Sequence, residues 1–218
     1  MPDFDDVVNQ RHSSRMFLPD KPVPIELLNE ALALAMRAPS NSNIQPWHLF
    51  LATGARRERL VAALSAEVQV NRPKAIGGLP ESHNRLRREL GALVYGAMGV
   101  AREDRDGRWN AQLRNWEFFR APVAGIVCMH RDLGFADAVG VGAFLQTLLL
   151  ALTERGLDSC VQVSTAMYPG IVREHLDIPD ELRVLCGLCI GYADPAFPAN
   201  NLRIPRNPVT ENVVFLDS

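Results

Sequence analysis

Pro39-Ser40-Asn41-Ser42-Asn43-Ile44-Gln45-Pro46-Trp47 is the stretch on which the reading of the fold turns. Before it, Leu28, Leu32, Ala35 and Met36 repeat at the spacing of one helical face, and Pro39 cannot continue a helix. After it, Trp47 to Thr53 is a short apolar run of strand length. The chain therefore passes here from a helix to a strand. Ser and Asn bend the backbone by bonding to their own main chain, so an ordinary turn accounts for the composition. A ligand-binding loop accounts for it equally well.

Upstream, Asp3 is placed to cap a short helix in which Phe4, Val7 and Val8 share a face. That helix runs into Arg11-His12-Ser13-Ser14-Arg15. Arginine grips a phosphate in fixed fork geometry and serine adds neutral donors, although a solvated surface cluster has the same composition. Pro22 and Pro24 prepare the helix before the loop, with Glu26 in its first turn.

Downstream, Arg56 to Val68 is amphipathic, with Leu60, Val61, Leu64 and Val68 inward. Residues 69–83 are rich in Pro, Gly and polar side chains. They read as a mobile lid on a single domain spanning residues 1–218. Asn84 to Arg102 reads as a long helix with Leu86, Leu90, Leu93, Val94, Ala97 and Ala101 toward a core. A charged turn over 103–108 then leads to a helical segment from Asn110 to Phe119. Val123–Met129, Ser159–Val163 and Arg183–Tyr192 read as strands, and Tyr168–Leu176 as a short helix. Ala138 to Leu152 is apolar on nearly every face, which predicts a helix buried all round with a partner subunit on one side. Gly156 closes it. The tail ends in the strand-like Val213-Val214-Phe215. Helices and strands alternate without a repeat, which gives an α+β or α/β class with several long helices.

Composition excludes several roles. At 218 residues the chain can bury a sizeable core. A formal charge of −2 and a pI near 6.2 do not suit a nucleic-acid or membrane-surface binder. The start lacks the basic and apolar regions of a signal peptide, and the run 138–152 falls short of the roughly 20 residues of a bilayer span. Cys128, Cys160, Cys186 and Cys189 do not form a disulfide framework at this length, so the cytoplasm is the expected location.

Familiar motifs fail in turn. His130-Arg131-Asp132-Leu133 mimics a kinase catalytic loop, but Asp137 stands where an Asn is required. Gly140-Val141-Gly142 lacks a third glycine for a dinucleotide fingerprint. Cys186-Gly187-Leu188-Cys189 has redox spacing, but inside an apolar strand it reads as a buried structural pair. There is no nucleophile elbow, and the histidines show no metal-ligand spacing. No carboxylates form an obvious catalytic pair. An enzyme of this kind borrows its reactive group from a cofactor.

Three stretches together resemble the FMN-dependent nitroreductase family: Arg11–Arg15, Pro39–Trp47, and Gly191-Tyr192-Ala193-Asp194 followed by Arg206-Asn207-Pro208. Arg114-Asn115-Trp116-Glu117-Phe118-Phe119 with Ala121-Pro122 is similar to the branch holding nitrobenzoate- and nitrobenzene-type reductases. The resemblance implies an α+β sandwich with a central, mostly antiparallel sheet flanked by helices. It also implies an obligate homodimer with two FMN sites at the interface. Arg11, Arg15 and Arg206 are then expected on the FMN phosphate and ribityl chain, with Ser13 as a neutral donor and His12 alongside. Ser40, Asn41 and Asn43, with Gln45, are expected to reach the flavin held mainly by the other protomer. Gln162, Val163 and Ser164 are expected along the isoalloxazine edge, where many relatives carry a proline at the position of Val161. Asn115 is expected at the pyrimidine edge. Relatives often place a basic side chain there, and this chain has Glu117.

The function implied is electron transfer from NADH or NADPH through flavin N5 to a nitroaromatic acceptor, in two steps that use the same space. No side chain is needed as a dedicated acid, and no metal is called for. Arg114 or Arg120 would favour a carboxylated aromatic, while a solvated face explains either residue. The alternatives are a general flavin, quinone or enone reductase of the same fold, and a protein that binds FMN without catalysis.

Overall fold

The computed structural model describes residues 3–73 and 79–216. Part of the expected lid, residues 74–78, lies outside the described residues.

Four strands form one antiparallel sheet in the order β1-β2-β4-β3: β1 Trp47–Ala52, β2 Val123–His130, β3 Asp158–Gln162 and β4 Leu182–Gly191. Residues of β2 are buried on both faces, as a sheet covered by helices on each side demands. Ala124, Ile126 and Cys128 face a core shared with α3 (Gly54–Val70) and α7 (Pro169–Leu176). Val123, Val127 and Met129 face the other core, shared with α2 (Ile25–Ala35) and α6 (Phe135–Glu154). The result is the expected helix–sheet–helix sandwich. Trp47 stacks on Phe144 of α6 with ring centroids 5.1 Å apart, fixing the start of β1 against that helix.

Local chemistry sets the element ends. Asp3 caps α1 (Phe4–Gln10) by accepting from the Asp6 N–H at 2.8 Å. Only Val7 of its expected apolar face is buried; Phe4 and Val8 are exposed. The helix expected over 84–102 is α4, Glu81–Ala97, and it stops early because Gly99 takes a left-handed φ of +71°. Leu86 and Leu93 are exposed rather than in the core, and of α4 only Val94 is buried. The charged turn proves to be the start of α5 (Arg105–Leu113), capped by Asp104 through the Gly107 N–H. The expected helix to Phe119 gives way to a short 3-10 turn at Phe118–Arg120.

By length and composition α6 is a candidate for crossing a membrane, longer than the run read from the sequence. Its Val141, Phe144, Leu148 and Leu152 pack into the core against the sheet and α2. It is not buried all round in the single chain: Phe135 is 96% and Val139 73% exposed. The tail forms a short helix, α8 (Val209–Asn212), and the expected terminal strand is instead an exposed extended segment. All four cysteines are buried free thiols.

Candidate functional site

The segment Arg11–Arg15 runs along the outer edge of β3, where Ser13 bridges Ser159 and the Ser14 N–H donates to the Ser159 carbonyl at 3.1 Å. This edge placement gives alternate side chains opposite directions. Ser14 is fully buried and its hydroxyl donates to Asp158 at 3.1 Å. Arg11, Ser13 and Arg15 gather around Cys160. Burial pushes the Cys160 thiol up to about 11, while Arg15, a Ser13 hydrogen bond and Arg11 pull the other way.

Arg206 reaches the same place from the far end of the chain. Burial lowers the Arg11 pKa, and the nearby Arg206 cation lowers it further. Neither arginine has an acidic partner among the described residues. Arg206 donates only to the carbonyls of Ile204 and Pro205, and Arg15 to that of Ser13. Converging guanidinium groups with no carboxylate between them fit a phosphate monoester, which carries about −1.5 to −2 charges near neutrality.

His12 is held elsewhere. Its Nδ1 meets the Gln10 carbonyl at 2.9 Å, and its Nε2 lies 3.4 Å from Ser14 Oγ and 4.0 Å from Asp158. It braces the strand edge from behind the arginines. Two residues not singled out from the sequence complete this brace. Asp158 also accepts from the Ala193 N–H at 2.9 Å. Asn200, 4% exposed, accepts from the Arg15 N–H at 2.7 Å and donates to the carbonyls of Met16 and Asp194. It ties the N-terminal segment to the C-terminal one. A lone acid opening the apolar run Leu157-Asp158-Ser159-Cys160 was a signal for Asp158; nothing in the sequence marked Asn200.

Beyond β3 the chain turns outward. Val163 is exposed and Ser164 half-buried, and the buried Trp116 indole donates to the Ser164 carbonyl at 3.2 Å. The side chain of Gln162 points inward. Its Nε2 and Oε1, with Thr165 Oγ1, are buried without a partner among the described residues. A Cβ on Gly187 would lie 2.5 Å from Thr165 Oγ1, so that position requires glycine for this close approach.

Asn115 donates to the Gln112 carbonyl at 2.8 Å and lines a cavity of about 770 Å³ together with Arg15 and Phe119. Phe119 belongs to an unusual turn. Phe118, Phe119 and Arg120 all have left-handed φ, at 52°, 51° and 66°. Such backbone is strained for bulky residues. It is held by burial of both rings and by Arg57, which donates to the carbonyls of Glu117 and Ala121.

The loop Ser40–Gln45 lies apart. Ser40 Oγ accepts from the Gln45 N–H at 3.0 Å, and Asn41 donates to Asp137 at 3.5 Å. Ser42, Asn43 and Gln45 have left-handed φ, and residues 41–45 are exposed. Trp47 pairs with Met129 at one end of the sheet, whereas Ala52, Ala124, Cys189 and Cys160 share a row near the other. Three strand spacings across and five residues along put the loop roughly 20 Å from the arginine cluster of its own chain. Within one chain the loop and the cluster are not brought together.

The model of the nitroreductase family matches residues 8–192. The chain is 38% identical to a 4-nitrobenzoate reductase of Pseudomonas putida, over 94% of this chain and 91% of that protein. It is 35% identical to a nitrobenzene nitroreductase of Ectopseudomonas oleovorans, over 99% and 97%. Among solved structures, the FMN and NADPH-dependent nitroreductase NfnB from sphigopyxis sp. strain HMH matches with a TM-score of 0.95 at 32% identity, covering 100% of both chains. NfnB from Mycobacterium smegmatis in complex with NADPH matches with a TM-score of 0.90 at 32% identity, covering 98% and 97%.

Proposed function

The chain belongs to the nitroreductase family, and from that premise we propose that it is an FMN-dependent oxidoreductase drawing electrons from NAD(P)H and delivering them to nitroaromatic acceptors. The observation that carries the reading is the cluster of Arg11, Arg15 and Arg206 beside Ser13, none of them paired with an acid among the described residues. FMN supplies the two-electron chemistry when bound. Arg11 and Arg206 would hold its phosphate, with Ser13 as a neutral donor and Arg15 toward the ribityl chain.

His12, Asp158 and Asn200 position this clamp without touching the ligand. Val163 and Ser164 offer the flavin edge their backbone, and the Trp116 bond to Ser164 fixes that turn. Gln162 supports the turn from below, since its side chain faces the core. Asn115 would meet the pyrimidine edge from the cavity wall. Donor and acceptor would enter that cavity in turn, and its open side lets solvent supply protons.

The roughly 20 Å gap between loop and clamp suits a homodimer in which Ser40, Asn41, Asn43 and Gln45 complete the partner's site. Exposed Phe135 and Val139 on α6, with Phe215 and Leu216 in the tail, supply apolar surface for such a contact. A cytoplasmic location fits four buried free thiols.

The test is purification followed by anaerobic titration. The protein is expected to be yellow, to bleach with NAD(P)H and to regain colour with a nitroaromatic. A colourless protein that takes up no FMN overturns the reading, and one that binds FMN but never bleaches is a storage protein.

A further inference from the structure

The cavity between α4 and α5 has a charged lining of one sign: Arg15, Arg87, Arg88, Arg102, Arg108 and Arg114, without an Asp or Glu among the described residues. Two acids of the same segment are engaged elsewhere. Glu89 pairs with Arg85 at 2.9 Å, and Asp104 caps α5. Several of the lining arginines are also committed. Arg88 pairs with Glu81 at 2.8 Å, Arg108 lies 4.1 Å above the Tyr95 ring, and Arg114 reaches Met98 and Phe197. Arg87 and Arg102 have no acidic partner among the described residues, and of the two only Arg87 lies on α4.

Position matters as much as charge. Arg87, Gly91 and Val94 follow one face of α4 at helical spacing, and Met98 caps its C-terminal end. Met98 is tied to Arg114, beside Asn115, at the end of the cavity proposed for the flavin edge. Eleven residues of helix put Arg87 about 16 Å from that end. A single-ring aromatic acid reacting at the Asn115 end cannot reach it. An extended nicotinamide dinucleotide can, and its 2′-phosphate lies at the end remote from the reacting ring.

We infer that the α4–α5 cavity seats a 2′-phosphorylated nicotinamide dinucleotide, with Arg87 receiving the 2′-phosphate. This rests on the reductase reading above and names the donor that site selects. Arg87 is thus a specificity-determining residue that discriminates NADPH from NADH.

The test uses the flavin-loaded protein and two probes, adenosine 2′,5′-bisphosphate and adenosine 5′-monophosphate, followed by calorimetry. The bisphosphate is expected to bind about tenfold tighter or more, the worth of one charge-assisted contact. R87Q should erase that preference and R87K should restore part of it. In turnover, the ratio of kcat/KM for NADPH to that for NADH should fall about tenfold in R87Q through KM. Equal binding of both probes to the unaltered protein, or an unchanged preference in R87Q, overturns the inference. It is also overturned if R87Q weakens use of 4-nitrobenzoate against nitrobenzene while the NADPH-to-NADH ratio holds, since the arginine then reads an acceptor carboxylate. The probe titration needs no turnover, so a failure of flavin reduction alone counts against the reductase reading and not against Arg87.

Discussion

Gly140 of α6 lies directly beneath Ser40, so that a Cβ at Gly140 would sit 3.0 Å from the Ser40 Cβ and 3.4 Å from the Pro46 ring. The loop thus rests on a helix that has no side chain at the point of contact. G140A should improve α6 by about 1 kcal/mol through helix propensity while lifting the loop by a few tenths of an ångström. Thermal stability is expected to change little, and FMN affinity to fall about fivefold, or about 1 kcal/mol. Flavin fluorescence titration measures it; unaltered affinity would remove the loop from the flavin site.

Arg11 and Arg206 repel one another until an anion lies between them. R206A and R11A should each weaken FMN binding by about ten- to a hundredfold, as expected for a lost charge-assisted bond. The FMN-free R11A protein should melt no lower than the FMN-free parent, because a like-charge contact has been relieved. A large fall in the melting temperature of FMN-free R11A would mean that the arginine supports the fold rather than the ligand.

Phe135 and Val139 stand one helical turn apart and open to solvent in the single chain. Replacing both by Asp should leave the chain folded, because neither is in the core. It should shift light scattering from dimer to monomer and release the flavin. A monomer that keeps its flavin contradicts the two-chain site.

The buried thiols set an alkaline limit. From an ordinary value of 9.0, burial pushes Cys160 and Cys186 to about 11 and Cys128 to about 12. A raised folded-state pKa favours the protonated thiol, so its stabilisation is complete below pH 9.0 and is lost as pH rises toward about 11. Melting temperature should fall across that window, and C160A should make the fall shallower. Identical slopes for the two proteins would rule the Cys160 thiol out as a cause.

Much of this was legible in the sequence because it is written in short-range patterns. The apolar run at Val123 and the proline-bounded loop at Pro39 announced strand and connection, and both lie where spacing placed them. The errors share a physical origin. Leu86 and Leu93 have core-like periodicity, yet α4 stands off the sheet and exposes them. The charged residues around Asp104 hid a helix whose cap is their most informative feature. Sheet order, the left-handed turn at Phe118 and the buried bonds of Asn200 depend on residues distant in the chain, and no local pattern encodes them.

The arginine clamp is assembled from residue 11 and residue 206, held in place by the Asn200 brace. The four strands can therefore all form before Arg206, one arm of the proposed clamp, is in place. Chains cut before Arg206 should hold FMN at least about ten- to a hundredfold more weakly, and with less ligand to stabilise them they should be more open to proteolysis. The wide separation in sequence of Arg11 and Arg206 thus makes flavin retention a reporter of whether the segment that follows Asn200 has docked on the rest of the fold.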